Sequence, residues 1–175
     1  MSRKLKNEEL SRLSVDEFKR AEKQPVVVVL DNVRSLHNVG SAFRTADAFR
    51  IEELMLCGVT GTPPNKEIEK TALGATSTVK WTHFKTTAGA LEHLKQAGYA
   101  LFAVEQAENS IALNDFEQSD KKIALVFGNE VYGVEQEVVN ACEGVIEIPQ
   151  SGTKHSLNIA VSVGIVLWEI SRARV

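Results

Sequence analysis

The 175-residue sequence has little of what marks most catalytic or structural chemistries. Its two cysteines, Cys57 and Cys142, sit in unrelated segments without metal-ligand spacing, so neither a zinc site nor a disulfide framework is implied. That usage fits a reducing, cytoplasmic compartment. The four histidines, His37, His83, His93 and His155, form no H-x-x-x-H pair, and no metal is expected. No apolar run approaches the length of a membrane span, and the start MSRKLKNEEL lacks the apolar stretch of a signal peptide. No G-x-G-x-x-G follows the first expected strand, and neither G-x-x-x-x-G-K-[ST] nor G-x-S-x-G occurs, which disfavours dinucleotide enzymes, P-loop NTPases and common hydrolases. Charge of one sign is also lacking. The net charge of −3 gives no pointer to nucleic acid, and residues 1–23 carry seven Lys/Arg against five Asp/Glu, which suits a solvated amphipathic helix.

What is present is an ordinary globular composition, 43% hydrophobic and 25% charged, in a chain long enough for one well-buried domain. Residues 7–21 have helical spacing, and Ser14-x-x-Glu17 offers a capping box that divides them into two short helices. Val26–Leu30 is short, apolar and mostly β-branched, the pattern of a strand buried on both faces of a parallel sheet. Helices are expected at Val39–Phe49, Lys66–Leu73, Thr87–Ala97, Glu135–Cys142 and Leu157–Arg172. Strands are expected at Glu53–Cys57, Thr78–His83, Tyr99–Val104, Ile123–Phe127 and Val145–Ile148. This alternation predicts an α/β domain, a mostly parallel sheet flanked by helices, over residues 25–175, preceded by a helical extension over 1–24.

Three polar constellations lie where strands end, the edge at which open α/β sheets bind ligands. The first runs from Asn32 to Asp47 and contains Asn38, Gly40 and Arg44. Asn38 could cap the helix, Gly40 permits close approach of another backbone, and Arg44 could reach a phosphate or serve a structural salt bridge. The second, Phe127-Gly128-Asn129-Glu130-Val131-Tyr132-Gly133, builds a tight loop exposing a carboxylate and backbone amides. The third, Ile148-Pro149-Gln150 through Ser156-Leu157-Asn158, joins a strand to the last helix. Ser156 suits its N-cap, whereas Asn158 is a poor helix former with no evident structural duty.

Taken in order, N-x-G-x-x-x-R-T-A-D-A, L-V-F-G-N-E-x-x-G and I-P-x-x-G-x-x-x-S-L-N resemble the three signatures of the SpoU (TrmH-type) branch of the SPOUT RNA methyltransferases. The resemblance extends over residues 25–170 and includes Lys70-Thr-Ala-Leu-Gly74-Ala75. It implies an α/β knot, in which the C-terminal segment threads a loop to make a deep trefoil knot. It further implies S-adenosylmethionine bound in that knot by backbone groups at Gly128, Asn129, Ile148 and Leu157, with Leu125, Ile148 and Leu157 as apolar walls. The implied reaction is methyl transfer to a ribose 2′-hydroxyl of RNA.

By the same resemblance Arg44 is the central catalytic residue, and Asn38, Glu130, Ser156 and Asn158 organise the site around it. A guanidinium, with its pKa above about 12, is not a free base, so Arg44 is expected to bind phosphate and lower the hydroxyl's pKa. The third signature commonly has Met where this chain has Gln150. A homodimer is implied, with the first signature of one subunit near the donor pocket of the other. The apolar series Ile159, Val163, Val166, Leu167 and Ile170 on the last helix suggests the contact face. With no accessory domain evident, tRNA is expected ahead of rRNA. The alternatives are a base-directed knotted methyltransferase and a non-catalytic RNA-binding or assembly factor that retains the fold.

Overall fold

Strand β1 (Gln24–Asp31) lies at the centre of the sheet, and Val26, Val27, Val28, Val29 and Leu30 are all at most 1% exposed. An unbroken β-branched run is what burial on both faces demands. The computed structural model describes residues 2–117 and 121–172, so the outermost ends of the expected extension and domain, residue 1 and residues 173–175, lie outside the described residues.

The other strands are β2 (Ile51–Cys57), β3 (Trp81–Phe84), β4 (Ala100–Val104), β5 (Ile111–Ala112), β6 (Ile123–Phe127) and β7 (Gly144–Glu147). They form one sheet in the order β3-β2-β1-β6-β4-β7-β5, and each pairing is parallel. The helices are α1 (Val15–Arg20), α2 (Leu36–Ala48), α3 (Lys66–Ala72), α4 (Thr87–Gln96), α5 (Gln136–Ala141) and α6 (Ile159–Arg172). Alternate residues of the central strands face opposite cores. Val26, Val28 and Leu30 join α2, α3 and α6, while Val27 and Val29 join α4 and α5. Each fully buried Val or Leu of this kind contributes about 1.5–3 kcal/mol of transfer free energy.

The N-terminal extension behaves as its capping box predicts. Ser14 Oγ accepts from Glu17 N at 3.3 Å, Glu17 Oε2 accepts from Ser14 N at 2.8 Å, and Phe18 anchors α1 in the first core. Strand β3 begins at Trp81 and not at Thr78 as expected, because Thr78 N and Val79 N both donate to Ala75 O at the end of the 3₁₀ turn Ala75–Ser77. Strand β5, two residues long, lay below any sequence signal.

Two expectations are overturned. The helix cap of α2 is Ser35, whose Oγ accepts from Asn38 N at 3.3 Å, so Asn38 sits in the first turn with its side chain free for other partners. The apolar series on α6 does not face outward. Ile159, Val163, Val166, Leu167 and Ile170 are all buried in this chain's own core, because the sheet leaves that face of β1 and β6 to be covered. The exposed apolar residues of α6 are instead Val161, Ile165 and Trp168.

Helices α2 and α3 cross at Gly40. A Cβ there would lie 2.1 Å from Thr71 Oγ1 and 2.2 Å from the Ile68 carbonyl oxygen. Gly40→Ala should therefore destabilise the fold by about 1–3 kcal/mol, since a backbone carbonyl cannot yield as a side-chain end can. Gly89→Ala, whose Cβ would meet only Thr86 Oγ1 at an ordinary 3.4 Å, should be neutral or stabilising by up to about 1 kcal/mol. Urea unfolding of both variants checks the pair, and equal midpoints would contradict the close crossing.

Candidate functional site

The C-terminal edge of the sheet carries all three constellations, and Glu130 joins them. Its carboxylate accepts from Arg34 N at 3.2 Å, Ser35 N at 3.1 Å and Asn38 Nδ2 at 3.0 Å. The first two are backbone groups of the β1–α2 turn, and the third lies in the first turn of α2. Asn158 Nδ2 completes the set by donating to Asn38 Oδ1 at 3.2 Å. Burial pushes the Glu130 carboxyl up. Hydrogen bonds from the Asn38 amide and from the backbone of Glu130, Arg34 and Ser35 outweigh that, and its pKa is lowered. It is therefore a carboxylate at neutral pH, committed to three donors, and suited to bracing the turn rather than to taking a proton.

The turns themselves are tightly built. Asn32, in the left-handed region at φ 52°, accepts Val59 N on its side chain and Asn129 Nδ2 on its carbonyl oxygen. Thr60 Oγ1 accepts from Val33 N and donates to Leu30 O, tying the end of β1 to the β2–α3 segment. In the second constellation, Asn129 and Gly133 exchange backbone hydrogen bonds of 3.0 and 2.9 Å, and Asn129 Oδ1 accepts from Val131 N and Tyr132 N. A Cβ on Gly128 would lie 2.0 Å from Gly133 C, and one on Gly133, at φ +68°, would lie 2.1 Å from Glu105 Oε2. Glycine is required at both places because the loop closes on itself and on Glu105, which also accepts Val134 N at 2.9 Å.

A cleft of about 740 Å³ opens beside this loop, lined by Val104, Phe127, Gly128, Asn129, Glu130, Ile148, Ser156, Leu157 and Asn158, among others. Of the expected donor-site residues, Gly128, Asn129, Ile148 and Leu157 stand together here, with Glu130, Ser156 and Asn158. Leu125 does not. It is fully buried within β6, and Phe127, the strand's last residue, lines the cleft where Leu125 was expected to. Asn158 has a structural duty that its residue type concealed: its Oδ1 accepts from Ala160 N at 2.9 Å and its carbonyl from Ser162 N, so Asn158, not Ser156, caps α6.

Arg44 lies elsewhere. Six residues beyond Asn38, and so about 9 Å further along α2, it lines a separate groove with Thr45, Ala48, Phe49, Gly164, Ile165 and Trp168. It is exposed, and among the described residues it makes no ion pair, which removes the structural salt-bridge reading. Sequence reasoning also missed Glu105 and Gln106, which follow β4. Gln106 Nε2 donates to His155 O at 2.6 Å, linking the cleft's opposite walls. The signal available was a polar pair directly after a buried strand. The thiols are inert by environment, with burial and Asp31 pushing Cys57 up to about 12 and burial pushing Cys142 up to about 11. Among the described residues no group of three or more His, Cys, Asp or Glu could hold a metal ion, and no helix is long and apolar enough to cross a membrane.

Comparison with known proteins places this geometry. A tRNA (guanosine(18)-2′-O)-methyltransferase of Thermus thermophilus is 30% identical over 171 residues, 95% of this chain and 84% of that protein. The crystal structure of an AdoMet-bound rRNA methyltransferase from Sinorhizobium meliloti superposes with a TM-score of 0.82 at 28% identity, covering 88% of this chain and 58% of that one. A structure describing 2-OH methylation of C/U34 on tRNA superposes with a TM-score of 0.74 at 26% identity, covering 86% of this chain and 98% of that one. The model of the SpoU rRNA Methylase family matches residues 25–168, and the chain belongs to that family.

Proposed function

We propose that this protein is an S-adenosylmethionine-dependent RNA methyltransferase that modifies a ribose 2′-hydroxyl, with tRNA as its substrate. The carrying observation is the Glu130–Asn38–Asn158 network, which binds the three signature loops into one wall of the cleft. The cleft suits the donor on physical grounds. Its volume is that of a nucleoside site, its apolar lining of Val104, Phe127, Ile148 and Leu157 would hold an adenine ring, and its glycine-tight loop leaves backbone groups beside it. When bound, S-adenosylmethionine supplies an electrophilic methyl group on a sulfonium. Gly128, Asn129, Ile148 and Leu157 would hold it by main-chain groups and apolar contact. The tRNA reading is supported by the Thermus and C/U34 enzymes, since this chain spans most of the length of each.

On this reading the chain's own residues divide the work. Glu130, held ionised by three N–H donors, fixes the β1–α2 turn and orients Asn38. Ser156 and Asn158 shape the rim next to the donor. Arg44, cationic and unpaired by any described carboxylate, binds a backbone phosphate and lowers the pKa of the attacking hydroxyl, leaving the proton to phosphate or water. Because Arg44 lines the groove of Trp168 and Ile165 rather than the cleft, the reading includes a homodimer in which the exposed α6 face, Val161, Ile165 and Trp168, meets a second copy. That arrangement brings Arg44 of one protomer to the cleft of the other. The reading also includes the knot: β4 and β5 flank β7, and the 105–110 link joining them would be the loop through which the chain beyond β7 threads. The reading keeps an N-terminal extension ahead of the catalytic domain, its described part up to residue 23 anchored by Phe18, since Gln24 already belongs to β1.

Incubation with methyl-labelled S-adenosylmethionine and separate tRNA and rRNA pools, followed by nucleoside analysis, should yield a 2′-O-methylnucleoside from tRNA. A base-methylated nucleoside, or donor-independent RNA binding without transfer, would overturn the reading. Arg44→Ala should lower turnover by at least about a hundredfold with donor affinity and melting temperature unchanged, and Arg44→Lys should recover little. Trp168→Glu should shift light scattering from dimer to monomer and abolish transfer. An active monomer would contradict a site completed by a second copy.

A further inference from the structure

The second constellation ends in a feature that donor binding and the Glu130 network leave unused. Val131 and Tyr132, at the tip of the loop after β6, are 68% and 78% exposed, and Tyr132 is the most exposed large hydrophobic side chain among the described residues. The chain has only two tyrosines and 6% aromatic residues, and this ring is left largely to solvent. The tip is not loose. Asn129 Oδ1 accepts both Val131 N and Tyr132 N, Asn129 and Gly133 exchange backbone hydrogen bonds, and Glu105 closes the base of the loop through Val134 N. The ring therefore projects from a rigid mount at the rim of the cleft.

A second observation lies on the other side of the same carboxylate. Arg34 donates its backbone N–H to Glu130 Oε2, while its side chain is exposed and makes no ion pair among the described residues. Glu130 thus fixes the backbone of Arg34, whose guanidinium is exposed, and two residues along its own loop stands an exposed aromatic ring. An exposed cation and an exposed aromatic ring on two loops joined by Glu130 match the chemistry of a single-stranded nucleotide, whose phosphate seeks the cation and whose base offers a π-face. Because the loop backbone is already held, stacking has only the ring torsions of Tyr132 left to order on the protein side.

We infer that Tyr132 stacks on an unpaired base of the substrate RNA at the mouth of the cleft, with Arg34 on an adjoining phosphate. This rests on the proposed RNA-methylating function and names the residues that seat the nucleotide. Tyr132 acts by positioning, so its loss falls on RNA recognition rather than on the chemical step.

The test measures KM for RNA, kcat, donor Kd, melting temperature and oligomeric state for Tyr132→Ala, Tyr132→Phe and Tyr132→Trp. The RNA is whichever unmodified pool the native enzyme methylates. The expected result is a KM raised about tenfold or more in Tyr132→Ala, with kcat, donor affinity and melting temperature unchanged, and recovery in the Phe and Trp variants because stacking needs the ring and not the hydroxyl. Arg34→Ala should reduce the salt dependence of RNA binding by about one phosphate contact. An unchanged KM in Tyr132→Ala overturns the inference. So does weakened donor binding in the absence of RNA, which would assign the ring to the donor, or conversion to monomer, which would assign it to a second copy. If the native protein transfers no methyl group, the proposed function fails by itself. The inference is then decided by fluorescence anisotropy with a labelled single-stranded RNA of mixed sequence, where equal affinity of native and Tyr132→Ala protein refutes it.

Discussion

Glu130 accepts hydrogen bonds from residues 92 to 96 positions away in the chain, and the arrangement of the whole C-terminal edge depends on it. Backbone amides at the entrance to a helix need acceptors, and Ser35 as N-cap satisfies one of those at the start of α2. Glu130 supplies the acceptor for the two amides of the turn before it, and does so from the loop that follows β6. The β1–α2 and β6–α5 loops are thereby locked in register at one point. Asn38 passes the constraint to Asn158 and so to the start of α6. Three loops that could each wander on the surface become a single wall. A neutral residue in place of Glu130 would accept fewer and weaker hydrogen bonds, and the lowered pKa of the carboxyl reflects the preference of those donors for the charged form.

That coupling explains why the sheet could be read from the sequence while the site could be read only in part. The run Val26–Leu30 and the segment Ile123–Phe127 declare themselves by composition, and β6 has the bounds its residues predict. Ser14 and Glu17 declare a capping box because both partners lie within one helical turn. Residues of the site differ, because the partner that decides the role of each is remote in sequence. Asn38 looks like a cap, but Ser35 takes that duty and frees Asn38 for Glu130. Asn158 looks like an intruder in a helix, yet it caps α6 with one amide atom and reaches Asn38 with the other. The identity of the signatures came from resemblance, and the resemblance could not say which asparagine does what.

The misreading of α6 has a related cause. Helical periodicity shows that one face is apolar, but not which neighbour that face will meet. Ile159, Val163, Val166, Leu167 and Ile170 are required by the chain's own sheet, since β1 and β6 present Val28, Leu30, Leu125 and Phe127 on that side. What remains outward is a narrower series, Val161, Ile165 and Trp168, beside Gly164 and against Phe49 of the α2 end. The large ring at 61% exposure is more informative than the longer buried series, because burial within the protomer already accounts for the latter.

The position of Arg44 then carries the argument furthest. In the proposed role Arg44 has to come within a few ångströms of the attacking hydroxyl, and the proposed donor cleft lies near the start of α2, where Glu130 meets Asn38. Arg44 stands a further turn and a half along the helix, in the groove of Ile165 and Trp168, so on the proposed function a single copy of this chain would be a poor catalyst. The same separation leaves the guanidinium free of carboxylates, which is the state needed to meet a phosphate at full charge. Ile165, Trp168 and the unpaired cation line the same groove, so the proposed association there would bring a second copy against Arg44. On the proposed function, assembly and catalysis would be one requirement: the network centred on Glu130 joins the three signature loops within the chain, and the groove beside Trp168 is where a second copy would meet Arg44.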